Sequence, residues 1–192
     1  ESQVERKKIA PPQLYDLTSL QREANRKLGF SADKTLKVAQ SLYETHKLVT
    51  YPRTDSRYLP DDMKPKIAAT LKKLPSAYAQ FVEDPRLNWE LRSKRFYDNA
   101  KISDHHAIVP TDKTANSQAL TRDEALLFDM IARRLIAAHY PNYEYEAARV
   151  ITQVDGHAFK STGAMPLNEG WRALYRGEKG EDKEPPLPKL AV

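Results

Sequence analysis

Short apolar patches punctuate a polar chain, and their spacing changes several times along its length. Residues 1–12 are polar and end in Pro11-Pro12, a pattern that allows at most a short edge strand. Leu20, Ala24 and Leu28 then recur at the spacing of one helix face. Thr18 and Gln21 stand at a capping-box separation, and Gly29 is placed to stop this helix. Ser31 can cap a second helix with Leu36, Ala39, Leu42 and Tyr43 turned inward. Pro52 denies Tyr51 the helical region, so residues 48–51 are predicted to be extended. Pro60, Asp61 and Asp62 open a third helix with Met63, Ile67 and Leu71 on one side. Residues 75–98 are aromatic-rich without a clear period, and 99–118 read as loop. The strongest helical signal follows: Thr121 and Glu124 form a capping box, and Leu127, Met130, Ile131, Leu135 and Ala138 form an apolar stripe. Pro141 ends it. Residues 143–154 are β-rich, Asp155-Gly156 is a two-residue hairpin turn, and the chain returns through 157–161. The prediction is a mainly α chain with a small antiparallel β part, an α+β fold, ending in a charged and Pro-rich linker over 176–192.

Composition narrows the function classes. The chain has 192 residues, with 31 Lys+Arg against 26 Asp+Glu, a formal charge of +5. That surplus hints at a polyanionic partner without identifying one. There is no cysteine, which excludes disulfide scaffolds, thiolate zinc sites and cysteine nucleophiles within this sequence. The longest apolar runs, such as 135–138, are far too short to cross a membrane, so no membrane partner is expected. The opening residues, Glu1-Ser2-Gln3, do not have the character of a signal peptide. A first residue that is Glu and a Pro-rich end suggest a piece of something longer.

The densest chemistry lies in Thr50-Tyr51-Pro52-Arg53-Thr54-Asp55-Ser56. In extended chain Tyr51 and Arg53 project to the same side. A phenol beside a guanidinium suits phosphoryl transfer, since the phenol oxygen can attack phosphorus while Arg binds two phosphate oxygens. The competing reading is a surface turn with a half-buried Tyr and an Arg53–Asp55 pair. A second candidate is Ser103-Asp104-His105-His106-Ala107-Ile108-Val109-Pro110-Thr111. A histidine there can donate to phosphate or protonate a leaving oxygen without a metal. Asp104 and His105 are ligand types, but no metal-ligand spacing is present and no metal is assigned. Arg92, Lys94, Arg95, Asn99 and Lys101 alternate with Trp89, Phe96 and Tyr97. That mixture suits single-stranded nucleic acid, with cations on phosphates and rings on bases, and equally suits a charged helix face over a partly buried one.

Taken together, residues 14–25, 35–44 and 50–56 resemble type IA DNA topoisomerases. Asp104-His105-His106-Ala107-Ile108-Val109-Pro110-Thr111 points to the bacterial topoisomerase III branch. Val154-Asp155-Gly156-His157-Ala158-Phe159 and Gly170-Trp171 are similar to that family's return into its arch-shaped β domain. The resemblance covers residues 10–175. It implies an enzyme that cuts one DNA strand, holds the end on a tyrosine, passes another strand and reseals without ATP, relaxing or decatenating DNA. Tyr51 would be the nucleophile, Arg53 would hold the scissile phosphate, and His105 would contact phosphate, with His106 beside it on the DNA. Thr50, Thr54 and Asp55 would buttress the site, Gln40 and Glu44 would line the single-strand groove, and Arg95 and Lys101 would add DNA contacts. It further implies a strand of the arch at 1–12, a helical tyrosine-bearing domain at 13–141, a hairpin region returning to the arch at 142–175, and a cytoplasmic, nucleoid-associated bacterial setting. The family's magnesium site, general-acid Glu and phosphate Lys belong to an N-terminal toprim domain, for which this sequence has no candidate. The expectation is therefore an inactive fragment without a cofactor of its own, whose partners are single-stranded DNA and the remaining toprim and gate domains. Two other readings stay open: a helix-turn-helix DNA-binding module at 16–28 and 31–46, and a metal-dependent hydrolase using His105 and His106.

Overall fold

A computed structural model describes residues 2–91, 93–113 and 119–177. Arg92 and most of the predicted linker, 178–192, lie outside the described residues. The chain divides into two units, residues 12–140 and a second unit made of residues 1–11 and 141–192.

The larger unit is helical. Its first helix, α1 (Leu17–Leu28), starts two positions earlier than the Thr18–Gln21 spacing suggests. Asp16 is the cap: its carboxylate accepts from the Ser19 amide at 2.6 Å, while Ser19 Oγ accepts from the Asp16 amide at 3.1 Å. Gln21 instead donates to the Ala32 carbonyl at 3.0 Å. Gly29 ends α1 at φ 69°, satisfying the carbonyls of Ala24 and Asn25. Ser31 caps α2 (Ala32–Glu44), which buries Thr35, Ala39 and Leu42, while Leu36 and Tyr43 are only half-buried. A 3-10 turn at Asp61–Met63 runs into α3 (Lys64–Lys72), which buries Ile67 and Leu71. The segment 75–98, without a legible period, holds a 3-10 turn (Ser76–Tyr78) and the single-turn α4 (Ala79–Val82), and another 3-10 turn (Asn99–Lys101) opens the stretch read as loop.

The longest helix, α5 (Arg122–Ala138), carries the expected Thr121–Glu124 capping box and is buried on nearly every side, including Phe128, Ala132, Ile136 and Ala137. It packs on α2, which packs on α1. Two buried polar networks hold this core. Arg134, 8% exposed, donates to the Gln13 carbonyl (3.0 Å) and the Tyr15 hydroxyl (2.8 Å), and pairs with Glu23. Glu124 accepts from Ser41 Oγ at 2.6 Å and from Thr121 N at 2.8 Å, and lies 3.2 Å from His46 Nε2. Burial pushes the Glu124 carboxyl up, but the bonds from Ser41 and Thr121 and the neighbouring His46 outweigh it and hold it at about 2.

The smaller unit is a three-stranded antiparallel sheet in the order β1-β2-β3, with β1 Ser2–Ile9, β2 Tyr143–Val154 and β3 His157–Asn168. Its β1 is a full eight-residue edge strand, longer than the sequence suggests, because Lys8 and Arg6 pair with Glu144 on β2. Asp155 and Gly156 both take positive φ (49° and 79°), the geometry of the expected tight hairpin. Pro166 is accommodated because β3 is the other edge strand. Trp171 Nε1 donates to the Ile9 carbonyl, tying the chain's two ends into one unit.

Candidate nucleic-acid site around Tyr51

Lys47 turns the chain out of α2. It takes φ 57°, the Leu48 amide reaches back to the Leu42 carbonyl at 2.9 Å, and residues 48–50 leave extended, as Pro52 demands. The exit is clamped by a facing segment, 105–111. Thr50 N donates to Val109 O (2.9 Å), Thr50 Oγ1 donates to Ala107 O (3.0 Å) and accepts from Val109 N (3.0 Å), and Thr111 N donates to Leu48 O (2.8 Å). Beyond the loop, Ala107 N donates to Tyr58 O at 2.9 Å. Residues 51–57 are thus a loop whose two ends hang on the same extended segment.

Within the loop Thr54 Oγ1 donates to the His105 carbonyl at 3.1 Å, and Thr54 O accepts from Leu17 N at 2.9 Å. Ser103 Oγ donates to Asp55 at 3.3 Å. Arg57 pairs with the α1 cap, Asp16, at 2.7 Å. Burial raises the Asp16 carboxyl, yet the Ser19 and Arg57 contacts leave it below its ordinary value, so this tie is between charged groups. His106 Nδ1 lies 2.8 Å from the Ala107 carbonyl; a carbonyl only accepts, so this nitrogen carries the proton.

These ties bring four of the expected residues, Gln40, Tyr51, Arg53 and His105, to one part of the surface. The Tyr51 ring packs edge-on against Tyr43 (centroids 5.4 Å, 76° between planes) and lies 4.4 Å from the His105 ring. With the Gln40 amide oriented so that its oxygen faces the guanidinium, it accepts from Arg53 Nε at 3.3 Å and Nη2 at 3.2 Å. Gln40 and Tyr43 are three residues apart on α2 and therefore share a face. Tyr51 packs on Tyr43 and Arg53 reaches Gln40, so both loop side chains lean on that one face of α2. Tyr51 is half-buried, while Arg53, Asp55 and His105 are exposed.

The remaining candidates are spread more widely. Glu44 is exposed one turn beyond Gln40. Arg95 lies on an exposed turn where its amide donates to Ser93 Oγ. Lys101 Nζ contacts the Tyr58 hydroxyl at 3.3 Å. Tyr43, read from the sequence as a core residue of α2, is instead the neighbour of Tyr51; its half-polar ring at the edge of the stripe was the available signal. Among the described residues, no three His, Asp or Glu side chains converge as a metal site requires.

The whole chain, residues 1–192, matches the family model described as DNA topoisomerase. This chain belongs to the type IA DNA topoisomerases. It is similar to proteins named DNA topoisomerase 3 from Bacillus licheniformis (44% identity) and Bacillus subtilis (42% identity), in each case over 96% of this chain. It spans about a quarter of the length of those curated relatives, 26% of each. Among solved structures, full-length topoisomerase I from Thermotoga maritima matches 93% of the chain and 29% of its own, with a TM-score of 0.68 and 27% identity. The α+β architecture is that of a type IA topoisomerase.

Proposed function

We infer that this chain carries the strand-cutting tyrosine of a topoisomerase of the topoisomerase III branch, and that Tyr51 is that residue. The observation that carries the reading is the shared face of α2, where Gln40 contacts Arg53 and Tyr43 packs on Tyr51 while the His105 ring stands 4.4 Å from the Tyr51 ring. In the forward step the Tyr51 oxygen attacks a backbone phosphorus of single-stranded DNA and gives up its proton. A P–Otyr bond forms as the P–O3′ bond breaks, and the released 3′ oxygen takes a proton. The 5′-phosphotyrosine keeps the free energy of the phosphodiester, so attack by the 3′ hydroxyl reverses the step without ATP. Arg53 supplies two N–H groups to the non-bridging oxygens, where charge accumulates. His105 is exposed beside the phenol, within reach of a phosphate oxygen held there. Thr50 and Thr54 bind the two segments to each other and hold the phenol and imidazole in place.

Residues 12–140 would form the tyrosine-bearing domain, and the three-stranded sheet would belong to the family's arch. The acidic groups that complete the reaction would come from the remaining three-quarters of the parent enzyme, so this chain alone is expected not to cleave DNA. A helix-turn-helix reading fits less well, because α2 commits Gln40 and Tyr43 to Arg53 and Tyr51 rather than presenting them to a groove. The test is complementation: a separate N-terminal toprim fragment, magnesium and labelled single-stranded DNA are added to this chain. A covalent adduct mapping to Tyr51, lost in Tyr51→Phe, is expected. An adduct on another residue would overturn the assignment.

A further inference from the structure

The loop that starts at Tyr51 ends at a second tyrosine with its own cation. Tyr58 is anchored through its backbone: its carbonyl accepts from Ala107 N and its amide donates to Ser56 Oγ at 3.2 Å. Ser56 Oγ in turn donates to the Lys101 carbonyl at 3.1 Å, so the backbones of residues 58 and 101 are tied through one hydroxyl. At the side-chain level two donors converge on the Tyr58 oxygen, Gln13 Nε2 at 2.9 Å and Lys101 Nζ at 3.3 Å, and the ammonium also lies 4.9 Å from the centre of the ring. The carboxylate facing this group is Asp98, whose Oδ2 is 3.8 Å from Lys101, beyond hydrogen-bond reach, and whose Oδ1 accepts from the Ala100 amide. A phenol oxygen that accepts two bonds is left with its own proton to give. Gln13 first, then Lys101, draws the Tyr58 phenol below its ordinary pKa, which makes that proton a better donor to an anion.

The segment 107–109 holds both this group and the Tyr51 exit: Ala107 pairs with Tyr58 and Val109 with Thr50, two residues apart, about 7 Å in extended chain. We propose that Tyr58, Lys101 and Gln13 form a second phosphate-binding site, which grips a backbone phosphate of the same DNA strand near the one presented to Tyr51. The inference rests on the reading of Tyr51 as the strand-cutting residue, and gives Tyr58 and Gln13 a role in holding the strand rather than in the chemistry. Such a site would set which stretch of strand lies over the phenol while leaving base identity unread.

The test measures binding of a labelled single-stranded oligonucleotide to the 192-residue chain across a salt series. Each lost phosphate contact lowers the steepness of log K against log salt by about 0.7 for single strands. Lys101→Gln and Tyr58→Phe are expected to weaken binding about five-fold at low salt, and Lys101→Gln to reduce the slope by about 0.7, with Lys101→Arg restoring it. Lys66→Gln, an exposed lysine on α3, should leave both unchanged, and Arg53→Gln serves as the reference for the Tyr51 site. A slope that drops with Arg53→Gln but not with Lys101→Gln would overturn this proposal alone. A slope that drops equally with Lys66→Gln would overturn it as a mere effect of net charge. No single-strand binding by the unsubstituted chain at low salt would overturn it together with the reading of Tyr51.

Discussion

At the residue scale, the arrangement separates groups that do chemistry from groups that aim them. Arg53 is exposed, and Gln40 determines where its guanidinium lies. Arg53→Lys keeps the charge but loses the planar fork, so in the complemented assay adduct formation should fall by about two to three orders of magnitude. Gln40→Leu should lower it about ten-fold while the midpoint of urea unfolding stays within error, since a contact from a half-buried amide to an exposed guanidinium adds little stability. Equal losses of adduct and stability would show that Gln40 is structural instead. Glu124 makes the opposite case, a buried carboxylate that serves the fold. Its pKa is about 2 in the folded state, below the ordinary 4.5, so folding favours the deprotonated form. The stability it contributes is complete above about pH 4.5 and is lost as pH falls from there towards about 2. Glu124→Gln should therefore destabilise the chain at pH 7 by about 1–3 kcal/mol, with the gap to the unsubstituted chain narrowing below pH 4.5. Urea unfolding at pH 7, 4 and 3 checks this, and a gap that widens with acid would refute the ionised-cap account.

At the element scale, two glycines with similar backbone angles carry different burdens. Gly29 ends α1 with open space where a Cβ would be, so Gly29→Ala should cost only the left-handed strain, about 1 kcal/mol. A Cβ on Gly170 would stand 2.3 Å from the Asn142 carbonyl oxygen, so Gly170→Ala must also move backbone and should cost clearly more than Gly29→Ala. Comparative thermal unfolding orders the two. Elements written in local chemistry were legible: α5 from its capping box, α2 from Ser31, and the hairpin from Asp155-Gly156. The start of α1 was missed because Asp16 and Thr18 are both plausible caps, and Arg57, forty-one residues on, favours Asp16. Residues 75–98 offered no period because the helical elements there are one 3-10 turn and a single α turn, too short to show one. In the site, the extended exit from α2 towards Tyr51 and Arg53 was legible from Pro52. Their support by Tyr43 and Gln40 was not, because it depends on how α2 packs beside the loop rather than on neighbouring sequence.

At the scale of the whole molecule, the two units differ in how much each can hold itself together. Residues 12–140 enclose Leu20, Leu42, Leu127, Ile131 and Leu135, all essentially inaccessible, along with the Arg134 network, in which every residue lies within the unit. The clamp on Tyr51 is equally self-contained, because Leu17, Thr50, Thr54, His105 and Val109 all belong to it. The sheet unit leaves Val4, Val154, Phe159 and Leu167 more than a third exposed, and three strands with little covered apolar surface are at the margin of independent stability. A chain cut to residues 12–140 is therefore expected to unfold in one cooperative urea transition and to keep the single-strand affinity of the full 192 residues to within about two-fold. The Pro11-Pro12 and Tyr140-Pro141 junctions are suited to the cut, since neither proline nitrogen has a hydrogen bond to lose. If the shortened chain bound DNA at least ten-fold more weakly while still unfolding cooperatively, the strand path would have to run over the sheet as well, and the Tyr51 loop could not be the principal binding surface.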